Sequence, residues 1–320
     1  MKTIGVLTSG GDAPGMNPAV RAVVRTACQR GIKVYGVDRG YTGLINGDIH
    51  EMNLRSVSDI ITRGGTILYS ARCPEFKTEE GLQKAVATCK KFGIDGMVII
   101  GGDGSFRGAR DLSLRGIPCI GLPGTIDNDI SCTDYTIGYD TCLNTIVQMV
   151  DRIRDTSESH DRCTVVEVMG RGAGYLALEA GIAVGATSII VPEVEYDIER
   201  DVIARIREFQ KTGKKHFIVI VAEGVGGTAE IAKKIEAETG VESRATILGH
   251  VQRGGSPTAV DRILASRMGE AAIEALLDGQ RNVMIGTMNG KIVYVPFAKA
   301  VKHDKGIDRK DLELVKILSI

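Results

Sequence analysis

Short apolar runs, rich in β-branched residues, recur along the chain with amphipathic stretches between them. Seven runs read as strands: Ile4–Thr8, Val34–Asp38, Met97–Ile100, Cys119–Leu122, Val165–Val168, Ser188–Val191 and Phe217–Val221. Each is almost continuously apolar, the pattern of a strand covered on both faces. Between them, Val20, Val23, Val24 and Ala27 share one helical face. Leu143, Ile146, Val147, Val150 and Ile153 share a second, and Val202, Ile203, Ile206 and Phe209 a third. Strand alternating with helix predicts an α/β protein with parallel sheets. No repeat period, charge run or Pro/Ser-rich linker marks a domain boundary.

Length and composition narrow this picture. The 320 residues are too many for one ordinary core and suggest two domains. Lys+Arg and Asp+Glu are both 40, so the net charge is zero and the electrostatic case for a nucleic-acid or anionic-membrane binder falls away. Glycine stands out at 40 residues, against 8 prolines and no G-x-y period, so the glycines serve the backbone of a folded chain. The seven cysteines (Cys28, Cys73, Cys89, Cys119, Cys132, Cys142 and Cys163) are odd in number and contain no C-x-x-C pair. Reduced thiols in a cytoplasmic protein are the expectation. The N-terminal MKTIGVLTSGGDAPG lacks a signal-peptide pattern, and no stretch of about 18 apolar residues occurs.

In open parallel sheets, ligands bind beyond the carboxyl ends of the strands. After Ile4–Thr8 come Gly10, Gly11 and Asp12, then Pro14 and Gly15 before a helix. Such glycines free backbone N–H groups to face an anion, although a tight turn explains them as well. After Met97–Ile100 comes Gly101-Gly102-Asp103-Gly104-Ser105, where a phosphate chain can approach closely and the carboxylate can hold Mg²⁺ against it. No Walker A loop occurs, and Gly170, Gly172 and Gly174 have the wrong spacing for a dinucleotide fingerprint. After Cys119–Leu122 comes Pro123-Gly124-Thr125-Ile126-Asp127-Asn128-Asp129. A turn rich in Asp and Asn is often only a solvated turn. Two acidic loops on neighbouring strands suggest more: one carboxylate for a metal, another to accept a proton from an attacking hydroxyl. Met169-Gly170-Arg171 and Ala222-Glu223-Gly224 each add a charged group at a strand end. Together the five loops carry the standard parts of a phosphoryl-transfer site.

At these residues the chain resembles the bacterial ATP-dependent 6-phosphofructokinases. The resemblance rests on TSGGDAPGMN, SARCPEF, GGDGS, GLPGTIDND, VVEVMGR, ATILGHVQRGGSP and DRILASRMG, and runs to about residue 280. It implies two Rossmann-like three-layer α/β/α domains with mainly parallel sheets and the active site in the cleft between them. The ATP-binding domain would be 1–138 with 251–304, and the fructose 6-phosphate-binding domain 139–250 with 305–320. The resemblance further implies that Gly11, Arg72, Cys73, Gly102, Asp103, Gly104 and Ser105 bind ATP, with Asp103 serving Mg²⁺. Asp127 would be the general base toward the sugar's 1-hydroxyl. Thr125, Asp129, Arg171, Arg72 and Gly11 would complete the catalytic set. Fructose 6-phosphate would be held by Thr125, Ile126, Asp127, Met169, Gly170, Arg171, Glu223, His250, Val251, Gln252 and Arg253. Arg162 and Arg244 would reach the 6-phosphate from a neighbouring subunit, which implies a homo-oligomer, in the family usually a tetramer. Pyrophosphate-dependent relatives carry Asp and Lys where this chain has Gly104 and Gly124, so ATP is the expected donor.

The match weakens at the family's effector site, which takes ADP or phosphoenolpyruvate. Arg21, Arg25, Asp59, Arg154, Gly185, Lys214, Lys215 and His216 stand at its positions, but Thr187 replaces a Glu, and Leu54 with Arg55 beside it replaces an Arg. Arg21 and Arg25, one helical turn apart, also read as an ordinary solvated face. Allosteric control in altered or blunted form is expected. His50, His160, His216 and His303 lack partners at ligand spacing, and Cys73 reads as readily as a packing residue as one near ATP. An NAD or lipid kinase would share the GGDG loop but would not need the MGR loop, Glu223 and the His250–Arg253 cluster together. A catalytically dead sensor would be expected to lose Asp103 or Asp127, and both are present.

Overall fold

The computed structural model describes residues 1–301 and 305–319. His303, and the positions 302–304 and 320 of the expected domain segments, lie outside the described residues. The elements run β1 (Thr3–Ser9), α1 (Met16–Gln29), β2 (Lys33–Val37), α2 (Gly40–Asn46), β3 (Ile49–Met52), α3 (Glu79–Lys91), β4 (Gly96–Gly101), α4 (Asp103–Ser113) and β5 (Cys119–Pro123). They continue with α5 (Tyr139–Ser159), β6 (Cys163–Val168), α6 (Tyr175–Ala183), β7 (Ser188–Ile190), α7 (Ala204–Lys211), β8 (Phe217–Ala222), α8 (Thr228–Thr239) and β9 (Ser243–Ile247). The chain closes with α9 (Ala259–Leu277), β10 (Val283–Met288), β11 (Lys291–Pro296), α10 (Phe297–Ala300) and α11 (Arg309–Leu318).

The chain divides into two compact units: residues 1–126, 130–141 and 253–305, and residues 127–129, 142–252 and 306–320. The first unit holds a seven-stranded sheet in the order β11-β10-β5-β4-β1-β2-β3. Its five inner strands are parallel, and β3 and β11 join antiparallel at the two edges. β4 and β5 are buried along their whole length, which accounts for their unbroken apolar sequence. One core layer gathers Leu7, Met97, Ile99, Phe106 and Phe297, with the Phe106 and Phe297 rings stacked 5.4 Å apart. The second unit holds a parallel four-stranded sheet, β7-β8-β6-β9, with Val165, Val219, Val221, Ile206 and Ile235 in its core.

All seven strands expected from sequence are present, with ends shifted by a residue or two. Four more, β3, β9, β10 and β11, escape the apolar-run criterion. β3, β9 and β11 are edge strands with exposed residues, so their sequences are mixed rather than continuously apolar. The third predicted helical face is buried as expected, but Val202 and Ile203 lie in a π-helical turn (Glu199–Ile203) leading into α7.

Candidate active site

In the first unit, β5, β4 and β1 lie side by side and run in the same direction, so the loops after them emerge at one edge of the sheet. After β1, the Gly10–Gly11 turn is flanked by the 66–72 segment: Thr8 Oγ1 donates to the Tyr69 carbonyl at 2.7 Å, and Ser70 Oγ donates to the Gly10 carbonyl. A Cβ at Gly11 would lie 2.6 Å from Arg253 Nη1, and that guanidinium donates to the Asp12 carbonyl at 3.2 Å. Arg253 is thus brought to the glycine turn of its own unit. Arg72 is exposed nearby in sequence, while Cys73 is partly buried and packs on the core.

After β4 the chain turns at once into α4, so Asp103, Gly104 and Ser105 form its first turn, the end of a helix that favours an anion. Ser105 is pinned from two sides. Its Oγ donates to the Ser9 carbonyl at 3.2 Å, and its carbonyl accepts from the buried Tyr41 hydroxyl at 2.6 Å. Asp103 keeps a third of its side chain exposed and pairs with Arg107, one turn on, at 3.0 Å. Gly104 opens onto empty space. This arrangement fits Mg²⁺ brought in with phosphates, because that ion takes one or two carboxylates and completes its shell with phosphate oxygens and water. Among the described residues no cluster of three His, Cys, Asp or Glu side chains could hold a metal unaided.

The loop after β5 is largely buried: Thr125 and Asp127 are each exposed by less than a tenth, and Asn128 adopts a left-handed φ of 52°. Thr125 is fixed by backbone bonds, its N–H donating to the Ile137 carbonyl at 3.1 Å and its carbonyl accepting from Thr136 Oγ1 at 2.6 Å.

In the second unit, the neighbouring strands β6 and β8 end in the Met169–Arg171 and Glu223 loops. Gly170 has φ 138°, and a Cβ there would meet the Ala173 carbonyl oxygen at 2.4 Å, so only glycine fits. Arg171 takes a left-handed φ of 59°. Glu223 Oε1 holds both residues, accepting from the Gly170 N–H at 3.2 Å and the Arg171 N–H at 2.5 Å. Met169 N–H donates to Oε1 of the fully buried Gln252, whose amide in turn bonds the Gly249 carbonyl at 3.0 Å. Glu223 and Gln252 therefore shape the loop, while His250 and Val251 remain exposed beside it.

Arg162 and Arg244 lie elsewhere. Arg162 immediately precedes β6 and Arg244 is the second residue of β9, with Thr164 and Arg244 in register. They sit at the amino edge of the sheet, roughly 20 Å along β6 from Met169–Arg171 at the carboxyl edge. Glu242 bridges them, at 2.8 Å from Arg162 and 2.6 Å from Arg244, and they hold its carboxyl below the usual range by hydrogen bonding. Nothing in the sequence marks Glu242. An acidic residue two positions before Arg244 is an ordinary strand pattern, and its link to Arg162 exists only through strand pairing.

The effector-type residues fall into two groups. In the first unit, Arg21 and Arg25 line the outer face of α1, where burial and the neighbouring Arg25 lower the Arg21 pKa. Arg55 and Asp59 are exposed, Asp59 with a left-handed φ of 59°. In the second unit, Arg154 donates to the Val184 carbonyl beside Gly185, and Lys214 Nζ donates to the Ser319 carbonyl at 3.2 Å. Burial, then Arg154 and Arg205, lower the Lys214 pKa. Lys215 pairs with Asp161 at 3.6 Å, and His216 is partly buried just before β8. Thr187 is buried, its carbonyl accepting from Arg205. Thr187 itself lines a cavity of about 590 Å³, with Tyr196, Arg205, Arg309, Leu312 and Lys316; the loop after β7 borders it, and the loops after β1, β4, β5, β6 and β8 do not.

Glycine turns, acidic loops and a guanidinium at the carboxyl ends of parallel strands define an α/β phosphotransferase. Residues 3–276 match the family described as Phosphofructokinase, and the chain belongs to that family. It is 58% identical over 320 residues to ATP-dependent 6-phosphofructokinase of Clostridioides difficile, and 56% identical to that of Halalkalibacterium halodurans, each pair covered end to end. Among solved structures, phosphofructokinase from Saccharomyces cerevisiae matches with TM-score 0.90 and 37% identity over the whole chain, which spans 48% of the yeast chain. The pyrophosphate-dependent phosphofructokinase of Marinobacter aquaeolei, at 21% identity and TM-score 0.84 over 98% of this chain and 91% of its own, shares the fold.

Proposed function

We propose that this chain transfers the γ-phosphoryl group of ATP to the 1-hydroxyl of fructose 6-phosphate, giving fructose 1,6-bisphosphate and ADP, a step of glycolysis. The observation that carries the reading is the end-to-end identity of 56–58% with relatives named ATP-dependent 6-phosphofructokinase. The first unit takes the nucleotide. Gly11, Gly102, Gly104, Ser105 and Arg72 approach its phosphates, and Asp103 would hold Mg²⁺, which when bound neutralises phosphate charge. The second takes the sugar phosphate on Met169, Gly170, Arg171, Glu223 and His250, and we assign Arg253 to the same substrate.

Asp127 accepts the proton of the 1-hydroxyl as the oxygen attacks the γ-phosphorus, and the bond to the bridging oxygen of ADP breaks. Thr125, Asp129 and the guanidinium of Arg171 orient the transferring group and offset its charge. Arg162 and Arg244, at the far edge of their sheet, serve the 6-phosphate of a neighbouring copy, so the working form is a homo-oligomer, a tetramer in our reading. The seven free cysteines suit a reducing compartment, and we place the enzyme in the cytoplasm. Control by ADP or phosphoenolpyruvate acts through the two groups around Arg21 and Arg154, weakened by Thr187. A coupled assay with fructose 6-phosphate and ATP tests the reading, and absence of ADP release dependent on the sugar would overturn it.

A further inference from the structure

α9 and the first turn of α5 begin side by side in the first unit, and side chains of each bind the backbone N–H groups at the start of the other. Thr258 is the N-cap of α9, and its Oγ1 accepts from the Asp261 N–H at 3.3 Å. In the usual reciprocal arrangement, the acidic residue at the third helical position reaches back to the N–H of its own cap. Asp261 instead reaches to α5. Its Oδ1 accepts from the Gly138 N–H at 2.8 Å, and its Oδ2 accepts from the Thr141 N–H at 2.8 Å and Thr141 Oγ1 at 2.5 Å. Thr141 Oγ1 in turn accepts from the Thr258 N–H at 3.0 Å, and Thr258 Oγ1 donates to Asp140 at 2.6 Å. Gly138, just before α5, has no side chain to cap that helix, so the buried carboxylate of Asp261 does both halves of the task.

The backbone held in this way leads to the reacting residues. Ile137, next to Gly138, donates to the Pro123 carbonyl at 2.7 Å and accepts from the Thr125 N–H at 3.1 Å. α9 itself follows directly on the segment that carries Arg253. We infer that Asp261 is a positioning residue for phosphoryl transfer, locking Gly138–Thr141 and through Ile137 fixing Thr125. A buried ionised carboxylate is a poor choice for stability alone. Burial outweighs the bonds from Thr141 and Gly138, and with neighbouring Asp140 raises the Asp261 carboxyl to about 6. A neutral side chain of the same shape would avoid that penalty but would turn an amide N–H toward a backbone donor.

This inference rests on the proposed reaction, and the experiment separates the two. The wild-type chain must first release ADP in the presence of fructose 6-phosphate. Asp261→Asn is then expected to lower kcat about 10- to 100-fold, with KM for ATP essentially unchanged, because Gly102–Ser105 hang on β4 and Ser9 rather than on Asp261. Thr141→Val, which removes the two Oγ1 bonds to Asp261 and the Thr258 N–H but keeps the Thr141 N–H bond to Asp261, is expected to lower kcat by a smaller factor and covers the case that Asp261→Asn fails to fold. Thr78→Ala, which strips the cap of α3, serves as the control: its melting temperature falls and its kcat holds. If Asp261→Asn and Thr141→Val lower only the melting temperature, with kcat per folded chain unchanged, Asp261 is structural and the inference fails.

Discussion

At Gly104 an added side chain meets nothing within 4 Å, whereas a Cβ at Gly124 would come within 3.0 Å of Ile100 Cγ2 and 3.2 Å of Met16 Cε. The two positions expected to distinguish ATP from pyrophosphate users are therefore not equivalent here. Gly104→Asp is expected to leave the melting temperature unchanged and to raise KM for ATP at least about tenfold, a penalty of about 1.4 kcal/mol from charge repulsion at the phosphates. Gly124→Lys should lower the melting temperature as well, because a packed wall must shift. Thermal melts beside ATP titrations distinguish the two outcomes. Asp127→Ser should cut kcat by roughly 10²–10⁴ with sugar-phosphate binding largely kept, as removal of a general base does; unchanged turnover would remove Asp127 from that role. At Gly170, alanine would be forced against the Ala173 carbonyl at a left-handed φ, at a cost of about 1–3 kcal/mol. KM for fructose 6-phosphate should rise while KM for ATP holds.

Among the elements, the strands readable from sequence were those buried on both faces, because full burial leaves an unbroken apolar run. Edge strands such as β9, exposed at Arg244, Ala245 and Ile247, carry no such mark. The loops were readable for a related reason: glycine, Asp and Asn directly after an apolar run are conspicuous. What the sequence concealed depends on distant partners. Asp261 binds Thr141 across 120 residues, and Glu242 binds Arg162 only because β6 and β9 pair. The crossed caps also set a pH dependence. The folded carboxyl of Asp261, raised to about 6, lies above the ordinary value near 4 of the unfolded chain, so the folded state binds this proton more tightly. Relative to Asp261→Asn, the wild type should lose stability as pH rises from about 4 to 6 and level off above 7, by an amount on the order of 3 kcal/mol. Paired denaturant melts across that range measure the difference, and a difference that grows with pH would mean that burial does not dominate at this carboxyl.

On the scale of the whole molecule, zero net charge conceals strong local fields. Arg162 and Arg244 lie at the opposite edge of their sheet from the Met169–Arg171 and Glu223 loops, and the proposal that they serve a neighbouring copy can be tested by mixing subunits. An Arg162→Ala/Arg244→Ala chain co-assembled with an Asp127→Ser chain should regain activity well above the sum of the two alone. Strictly additive activity would place the arginines outside the site. Saturation by fructose 6-phosphate with and without ADP and phosphoenolpyruvate reports on the effector groups, and a full shift by both ligands would show that Thr187 and Leu54 do not blunt control. The most direct test of the central claim is one coupled assay on fructose 6-phosphate with ATP or pyrophosphate as donor. Turnover with Mg²⁺ and ATP, and little or none with pyrophosphate, is the expected result. Turnover with pyrophosphate equal to or above that with ATP, or no consumption of fructose 6-phosphate with either donor, would contradict it.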